Sequence, residues 1–323
     1  MLATGLLSWA RRSDLPTDAA AAPDGAPDQT PAPAAKSKDR RLLGVILVVA
    51  ATMLFAINDA TNKHLLDSYE VPLIAAVRYI GQGLWILALL GPSQGRRLVA
   101  TQRTFLVVVR ALCLVVASLF FGLALQRMPL AETTSIVYLA PILVVLLAGP
   151  LLGERIGVLG WVAACSGFAG VVMVARPGGG LDPLGVTLAA CNVGASVAYY
   201  LLSRVLAKTE QTLAMLVDSA LVGAVCFGLA APFYWFGSVP SLLDLMLFAS
   251  LGLTAGLGHY CFTAAYRHAE ASLLAPATYM HLLWAGALGW IVFGQLPDGW
   301  GIAGMVVIAL AGVLAAVRSR LAR

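Results

Sequence analysis

Ten apolar stretches of membrane-crossing length fill this chain almost from end to end. They run over roughly 42–62, 71–92, 103–124, 131–151, 156–175, 184–204, 212–236, 243–265, 272–294 and 299–318. About 20 apolar residues cross a bilayer as a helix, because a helix satisfies its backbone polar groups internally. The connections are short, so no soluble domain fits between the spans. Only Gly153-Glu154-Arg155 separates the fourth span from the fifth. The chain is 60% hydrophobic and 11% charged, whereas a soluble domain carries about 25% charged residues. Lipid is therefore the expected solvent, and the expected fold class is all-α integral membrane with ten transmembrane helices.

The spans divide into two similar halves. Tyr138 and Tyr279, Ala124 and Ala265, Phe121 and Phe262, Lys63 and Arg204, and Glu154 and Gln295 all stand 141 positions apart. Each match is weak alone, but one constant offset from first span to last argues for duplication. Duplicated membrane halves commonly enclose a central site. The expected division is a disordered cytoplasmic tail over 1–40, a first five-helix repeat over 41–176 and a second over 183–318.

Charge supplies the orientation. The net charge is +5, and its distribution matches a membrane protein better than a nucleic-acid binder. With the N-terminus inside, 14 lysines and arginines fall on inner segments, chiefly near 36–41, 96–103, 204–208 and 318–323. The outer connections hold Arg127 and Arg176, plus Lys63 if it emerges. The positive-inside rule then places both termini in the cytoplasm. Five spans per half is an odd number, so the second half must be inverted. Residues 13–35, rich in Ala, Pro and Asp, read as the disordered tail. The cysteines (Cys113, Cys165, Cys191, Cys226, Cys261) lie singly inside spans and form no CxxC pair, so they read as buried small hydrophobes.

There is no Walker-A loop, HExxH, GxSxG or dinucleotide fingerprint, and no cofactor or metal is expected. The informative residues are polar groups at membrane depth, which are costly there and usually face a cavity or a partner. Asn58, Asp59, Asn62 and Lys63 interrupt the end of the first span. Asp59 and Lys63, four apart on one face, either line a substrate path or sit at the interface. Arg78 lies at a depth that allows a pair with Asp59. Arg110 and Asp218 lie at matching depth on the inner side. Each pair reads as a gate or a fixed structural clamp.

In the second half, Tyr199-Tyr200 replace Asn58-Asp59 at the same offset, alongside Asn192 and Ser196. Tyr138, Tyr279, His281 and Trp284 add aromatic rings with polar tips, which suit a cavity for a planar or amphipathic metabolite. His259 reads as a packing histidine. Pro141 and Pro276 allow bends in spans four and nine. Gly167, Gly170, Gly304 and Gly312 allow close helix contact. The last two spans of each half read as scaffold or homodimer surface.

Leu130-Ala-Glu-Thr-Thr-Ser-Ile-Val-Tyr-Leu-Ala-Pro141, continuing through Gly153-Glu154, Gly160 and Gly170, resembles the first EamA repeat of the drug/metabolite transporter superfamily. Leu274-Ala-Pro-Ala-Thr-Tyr-Met-His-Leu-Leu-Trp284, with Gly294-Gln295-Leu-Pro-Asp298 and Gly304, resembles the second. Phe55-Ala-Ile-Asn-Asp-Ala, Lys63 and Arg78 are similar to the start of bacterial members. The resemblance implies two inverted five-helix repeats around a central cavity, worked by alternating access. Such carriers move amino acids, nucleosides, vitamins, cofactors or drugs, often against a proton gradient or by exchange. Gln295, where the second repeat usually has Glu, and Leu282, opposite Pro141, depart from the pattern.

The expected activity is secondary transport of a small metabolite across a bacterial inner membrane. Substrate contacts are expected from Asn58, Asp59, Tyr138, Asn192, Tyr199, Tyr279, His281 and Trp284, and gating from Lys63, Arg78, Arg110 and Asp218. The expected partners are a small-molecule substrate and the lipid bilayer. The competing reading is an integral-membrane enzyme acting on an amphipathic or lipid-linked substrate. It would rest on His259, Arg267, His268 and Glu270, whose spacing fits no catalytic pattern.

Overall fold

The computed structural model describes residues 34–152, 158–175, 180–207, 209–235, 240–265, 268, 274 and 277–321. Among them there are helices and no strands. The first half holds α1 (Ala34–Leu65), α2 (Val71–Gln94), α3 (Thr104–Arg127), α4 (Leu130–Val137), α5 (Leu139–Leu152) and α6 (Val158–Ala175). The second holds α7 (Pro183–Leu206), α8 (Thr212–Ala230), α9 (Leu242–Ala265), α10 (Met280–Phe293) and α11 (Gly299–Leu321). Six of these helices are long and apolar enough to cross a membrane; four shorter apolar helices stand at the positions of the remaining expected spans. The chain is a multi-pass membrane protein.

Its surface fits that solvent. Phe105, Leu229 and Ile291 are 71–78% exposed, while Asn58, Arg110 and Asn192 are only 3–4% exposed. Apolar groups face outward and polar groups inward, as lipid requires.

Two elements differ from the expected boundaries. Helix α1 begins at Ala34, inside the stretch expected to be tail, because the run Ala34 to Arg41 contains good helix formers and no proline. Residues 1–33 of that tail lie outside the described residues. The fourth span breaks into α4 and α5 at Tyr138. Pro141 has no N–H to give the carbonyl of Val137, four residues earlier, and α4 ends at Val137. The second-half counterpart begins as α10 at Met280, with Tyr279 as its N-cap. Pro276 lies outside the described residues.

Helix α1 packs on α9 and α3 on α7; α2 packs on α8, and α6 on α11. Small residues permit the closest crossings. A Cβ on Gly252 of α9 would stand 2.6 Å from Gly81 Cα on α2. A Cβ on Gly304 of α11 would stand 2.6 Å from Gly170 O on α6. Two of the four glycines expected to mediate close contact thus face each other directly.

Some of these contacts recur at the offset of 141. Asn58 of α1 donates to Leu251 O of α9 at 2.8 Å; Tyr199 of α7 meets Arg110 of α3 at 2.7 Å. Residues 58 and 199 differ by 141, as do 110 and 251. The rings of Tyr138 and Tyr279, themselves 141 apart, lie 5.3 Å from each other.

Candidate functional site

Several of the polar residues expected at membrane depth form a circuit of side chains, linked partly by contact and partly by charge acting at a distance. Asp59 Oδ2 on α1 lies 3.3 Å from His281 Nε2 on α10. This close contact lacks hydrogen-bond alignment, so the His281 nitrogen stays unbonded. The His281 ring lies 5.7 Å from that of Tyr138, whose hydroxyl donates to Thr278 O at 2.9 Å. Tyr138 is close enough to Tyr200, Tyr279 and Asp59 to interact with all three electrostatically. Tyr200 stacks edge-on against Tyr199, and Tyr199 bonds Arg110. Arg110 and Arg78 both act on the buried His259. The His259 ring lies 5.0 Å from Phe55 on α1, one turn before Asp59.

Arg110 is held on every side. Its Nε donates to Ser203 Oγ at 2.6 Å, one terminal nitrogen to Met215 O and Ser219 Oγ, and the other to the Tyr199 hydroxyl. The guanidinium also lies over the Tyr199 ring, 4.4 Å from its centre. Arg110 takes Ser219 rather than the expected Asp218. Adjacent helical residues point about 100° apart at 3.6 residues per turn, so equal depth did not make Asp218 a hydrogen-bond partner. Asp218 still feels the Arg110 charge, and its Oδ2 is buried without a bonding partner.

Arg78 is the opposite case. Its guanidinium lies over the Tyr79 ring at 4.7 Å, and its Nε is buried with no partner. Among the described residues no carboxylate pairs with it, so the expected Arg78–Asp59 bridge does not form. Tyr79 itself bonds Ser118 at 2.6 Å and stacks on Phe227. Trp284 has a buried indole nitrogen, again without a partner. Asn58 and Asn192 are used between helices. Asn58 also donates to Thr254 Oγ1 at 2.9 Å, and Asn192 donates to Ala117 O of α3 at 2.7 Å.

Lys63 leaves Asp59 and reaches the end of α3. Its ammonium donates to Leu125 O at 2.9 Å and Met128 O at 2.7 Å. Terminal helix carbonyls lack intrahelical partners and carry the negative end of the helix dipole, so a lysine there is well placed. Glu132, not singled out by itself from sequence, lies near Lys63 and Asp298. It is buried, and its Oε2 has no partner. Its position in the first turn of α4 was the available signal. At the same end, Arg127 pairs with Asp182 at 3.0 Å. That hydrogen bond, then the Leu184 N–H, holds the Asp182 carboxyl below the usual range. Among residues weighed for an enzymatic site, Arg267 and Glu270 lie outside the described residues.

Two apolar grooves flank α2 away from this circuit. One, of about 790 Å³, runs between α2 and α9 past Ile80, Trp85 and Phe248. The other, of about 550 Å³, is bordered by Leu73, Gly228 and Trp235.

Comparison with known proteins places this geometry. An "Uncharacterized transporter" of Helicobacter pylori is 28% identical, over 85% of this chain and 95% of its own length. The "S-adenosylmethionine uptake transporter" of Rickettsia bellii is 27% identical, over 78% of this chain and 85% of its own. The "Pseudopaline exporter CntI" of Pseudomonas aeruginosa is 26% identical, over 83% and 94%. A solved crystal structure shares the fold with a TM-score of 0.63 at 20% identity, covering 87% of this chain and 99% of that one. Residues 42–176 match the EamA-like transporter family, and these relatives are named as transporters.

Proposed function

We propose that the protein is a secondary transporter that carries a small metabolite across the bacterial inner membrane by alternating access, coupled to protons or to exchange. The observation that carries this reading is the circuit itself. Charged and aromatic side chains from α1, α2, α3, α7, α8, α9, α10 and the α4–α5 break converge in the membrane interior. Several of their polar atoms are left without partners. Unpartnered polar groups are expensive at that depth and are found where a substrate or ion passes. An enzyme would need a reacting constellation near one interface, and the circuit lies in the interior instead.

In this reading, 41–176 and 183–318 are inverted repeats that rock against each other, with both termini in the cytoplasm. The contacts repeated at the offset of 141 support it, because a two-fold axis exchanges each contact for its partner. The charge bias of the connections supports the orientation. Asp59, Asp218 and His281 are the candidates for a proton or counter-ion. The relatives named for S-adenosylmethionine uptake and pseudopaline export support a small, highly polar metabolite as cargo.

The test is flux into proteoliposomes that contain only this protein, with a labelled metabolite pool that includes S-adenosylmethionine. Gradient-dependent movement or counterflow is expected. Asp59→Asn should lower it without lowering the amount of folded protein. Absence of any gradient-dependent flux would overturn the transporter reading.

A further inference from the structure

Spans four and nine break at equivalent places for different reasons, which makes one break permanent and the other removable. Tyr138 and Tyr279 are the break residues, and they stand 141 positions apart. In span four the cause is local. Pro141 has no N–H, so the bond to Val137 O, four residues earlier, can never form. In span nine the equivalent of Pro141 is Leu282, which keeps its N–H. An uninterrupted helix would send that N–H to Thr278 O, four residues back. It goes to Tyr279 O at 3.0 Å instead, and the Tyr138 hydroxyl donates to Thr278 O at 2.9 Å. Pro276 does not account for this break, since a proline withholds its donor from the carbonyl four residues before itself, and that is not Thr278.

Side chains of neighbouring helices commonly satisfy a carbonyl freed inside a membrane. Here the donor is the break residue of the other half. The two tyrosine rings lie 5.3 Å apart. Tyr279 is seated against α11 where Gly312 has no side chain, and a Cβ there would fall on its ring. The first-half equivalent of Gly312 is Val171, so the matching seat for Tyr138 carries a side chain. Closing the break in span nine takes little movement. The Tyr279 backbone, at φ −71° and ψ −11°, departs from a regular helix by about 30° in ψ. A 3₁₀ link advances about 120° per residue and an α link about 100°, so the first turn of α10 rotates as the break closes. His281 is in that turn. Its Nε2 lies 3.3 Å from Asp59 Oδ2, and its ring lies 5.7 Å from that of Tyr138.

We propose that span nine is a switchable helix, held open at Tyr279 by the Tyr138 hydroxyl. Release of that hydroxyl returns the Leu282 N–H to Thr278 O, closes the helix and turns His281 away from Asp59. Tyr138 is thus a positioning residue, which acts on the Asp59–His281 contact through span nine. Span four, broken by its own proline, is the fixed member of the pair. Only the use of the switch in transport rests on the transporter reading above.

The experiment is deuterium exchange of the purified full chain in detergent, read by mass spectrometry on peptides that cover 278–284. Tyr138→Phe keeps the ring and removes only the donor to Thr278 O. Closing of the helix should slow exchange there by about 3- to 10-fold, the factor for one backbone hydrogen bond. A merely structural tyrosine gives the opposite sign, because a lost bond loosens the segment and speeds exchange. Faster or unchanged exchange in Tyr138→Phe overturns the proposal. Leu282→Pro has no N–H to return, so its break stays open with or without the hydroxyl. Exchange in 278–284 should be the same in Leu282→Pro and in the double variant with Tyr138→Phe, and slowing in the double variant overturns the proposal. If Leu282→Pro does not fold, the sign of the change in Tyr138→Phe decides by itself. In proteoliposomes with the labelled metabolite pool, folded Leu282→Pro should lose most of its gradient-dependent flux. Full flux in that variant overturns the part of the switch in transport. If the wild type moves nothing while exchange slows as expected, the transporter reading fails and the switch stands. If the wild type transports while exchange in Tyr138→Phe speeds up, the switch fails and the transporter stands.

Discussion

The crossing of α1 on α9 and the crossing of α7 on α3 use the same pair of aligned positions with different chemistry. In the first, the Asn58 amide bonds the backbone carbonyl of Leu251. In the second, the Tyr199 hydroxyl accepts from the side chain of Arg110. A neutral amide on a neutral carbonyl joins two helices, and the next residue, Asp59, has no hydrogen-bond partner among the described residues. A tyrosine on an arginine joins two helices and draws Ser203 and Ser219 into the same cluster. The second crossing therefore has a buried charge that the protein satisfies by itself. At the first, Asp59 keeps only the unaligned contact with His281, and Arg78 on the neighbouring α2 keeps a buried Nε without a partner. Duplicated architecture can close one copy of a contact and leave its counterpart open.

Four substitutions would break or sharpen that contrast. The largest effect is expected from Arg110→Met, which leaves two serine hydroxyls, a tyrosine hydroxyl and a carbonyl facing an apolar side chain. A loss of at least about 2–3 kcal/mol is expected, the scale of hydrogen bonds to a charged group, read as a lowered melting temperature and poor yield. Arg78→Met should be far milder for stability, and equal losses at the two arginines would erase the distinction between them. Next comes Asn58→Ala, which removes both links to α9. About 1 kcal/mol is expected, in line with interhelical hydrogen bonds in membranes, measured by denaturation in detergent. The smallest effect is expected from Tyr199→Phe. Arg110 keeps three other partners, so the loss should stay near 0.5 kcal/mol, the low end for one hydrogen bond. A larger loss at Tyr199 than at Asn58 would show that the second crossing depends on its hydroxyl.

Much of this arrangement was legible in the sequence, and the limits of legibility have a common cause. Residue spacing fixed depth: Arg110 and Asp218 were expected at one level, and they do act on each other across the interior. Spacing did not fix which way a side chain points around its helix once the helices pack, so the bond went to Ser219. Spacing put Lys63 four residues from Asp59 on one helix, but it did not show that the ammonium would cap the carbonyls at the end of α3. The bend in the fourth span was legible from Pro141, while the break at Tyr138 follows from which carbonyl lost its donor.

The sequence by itself determined that lipid surrounds this chain, that its spans are helices, and that its polar groups lie inside. Those outcomes depend on apolar length and backbone hydrogen bonding, which are local properties. Tertiary structure alone decided which buried charges are closed and which stay open. That depends on the rotation of each helix against its neighbours, and rotation is set by close contacts such as Gly81 on Gly252 and Gly170 on Gly304. Arg78 and Arg110 are the same residue at membrane depth, and only the neighbours that packing brought to each left one bonded on every side and the other with an unbonded nitrogen.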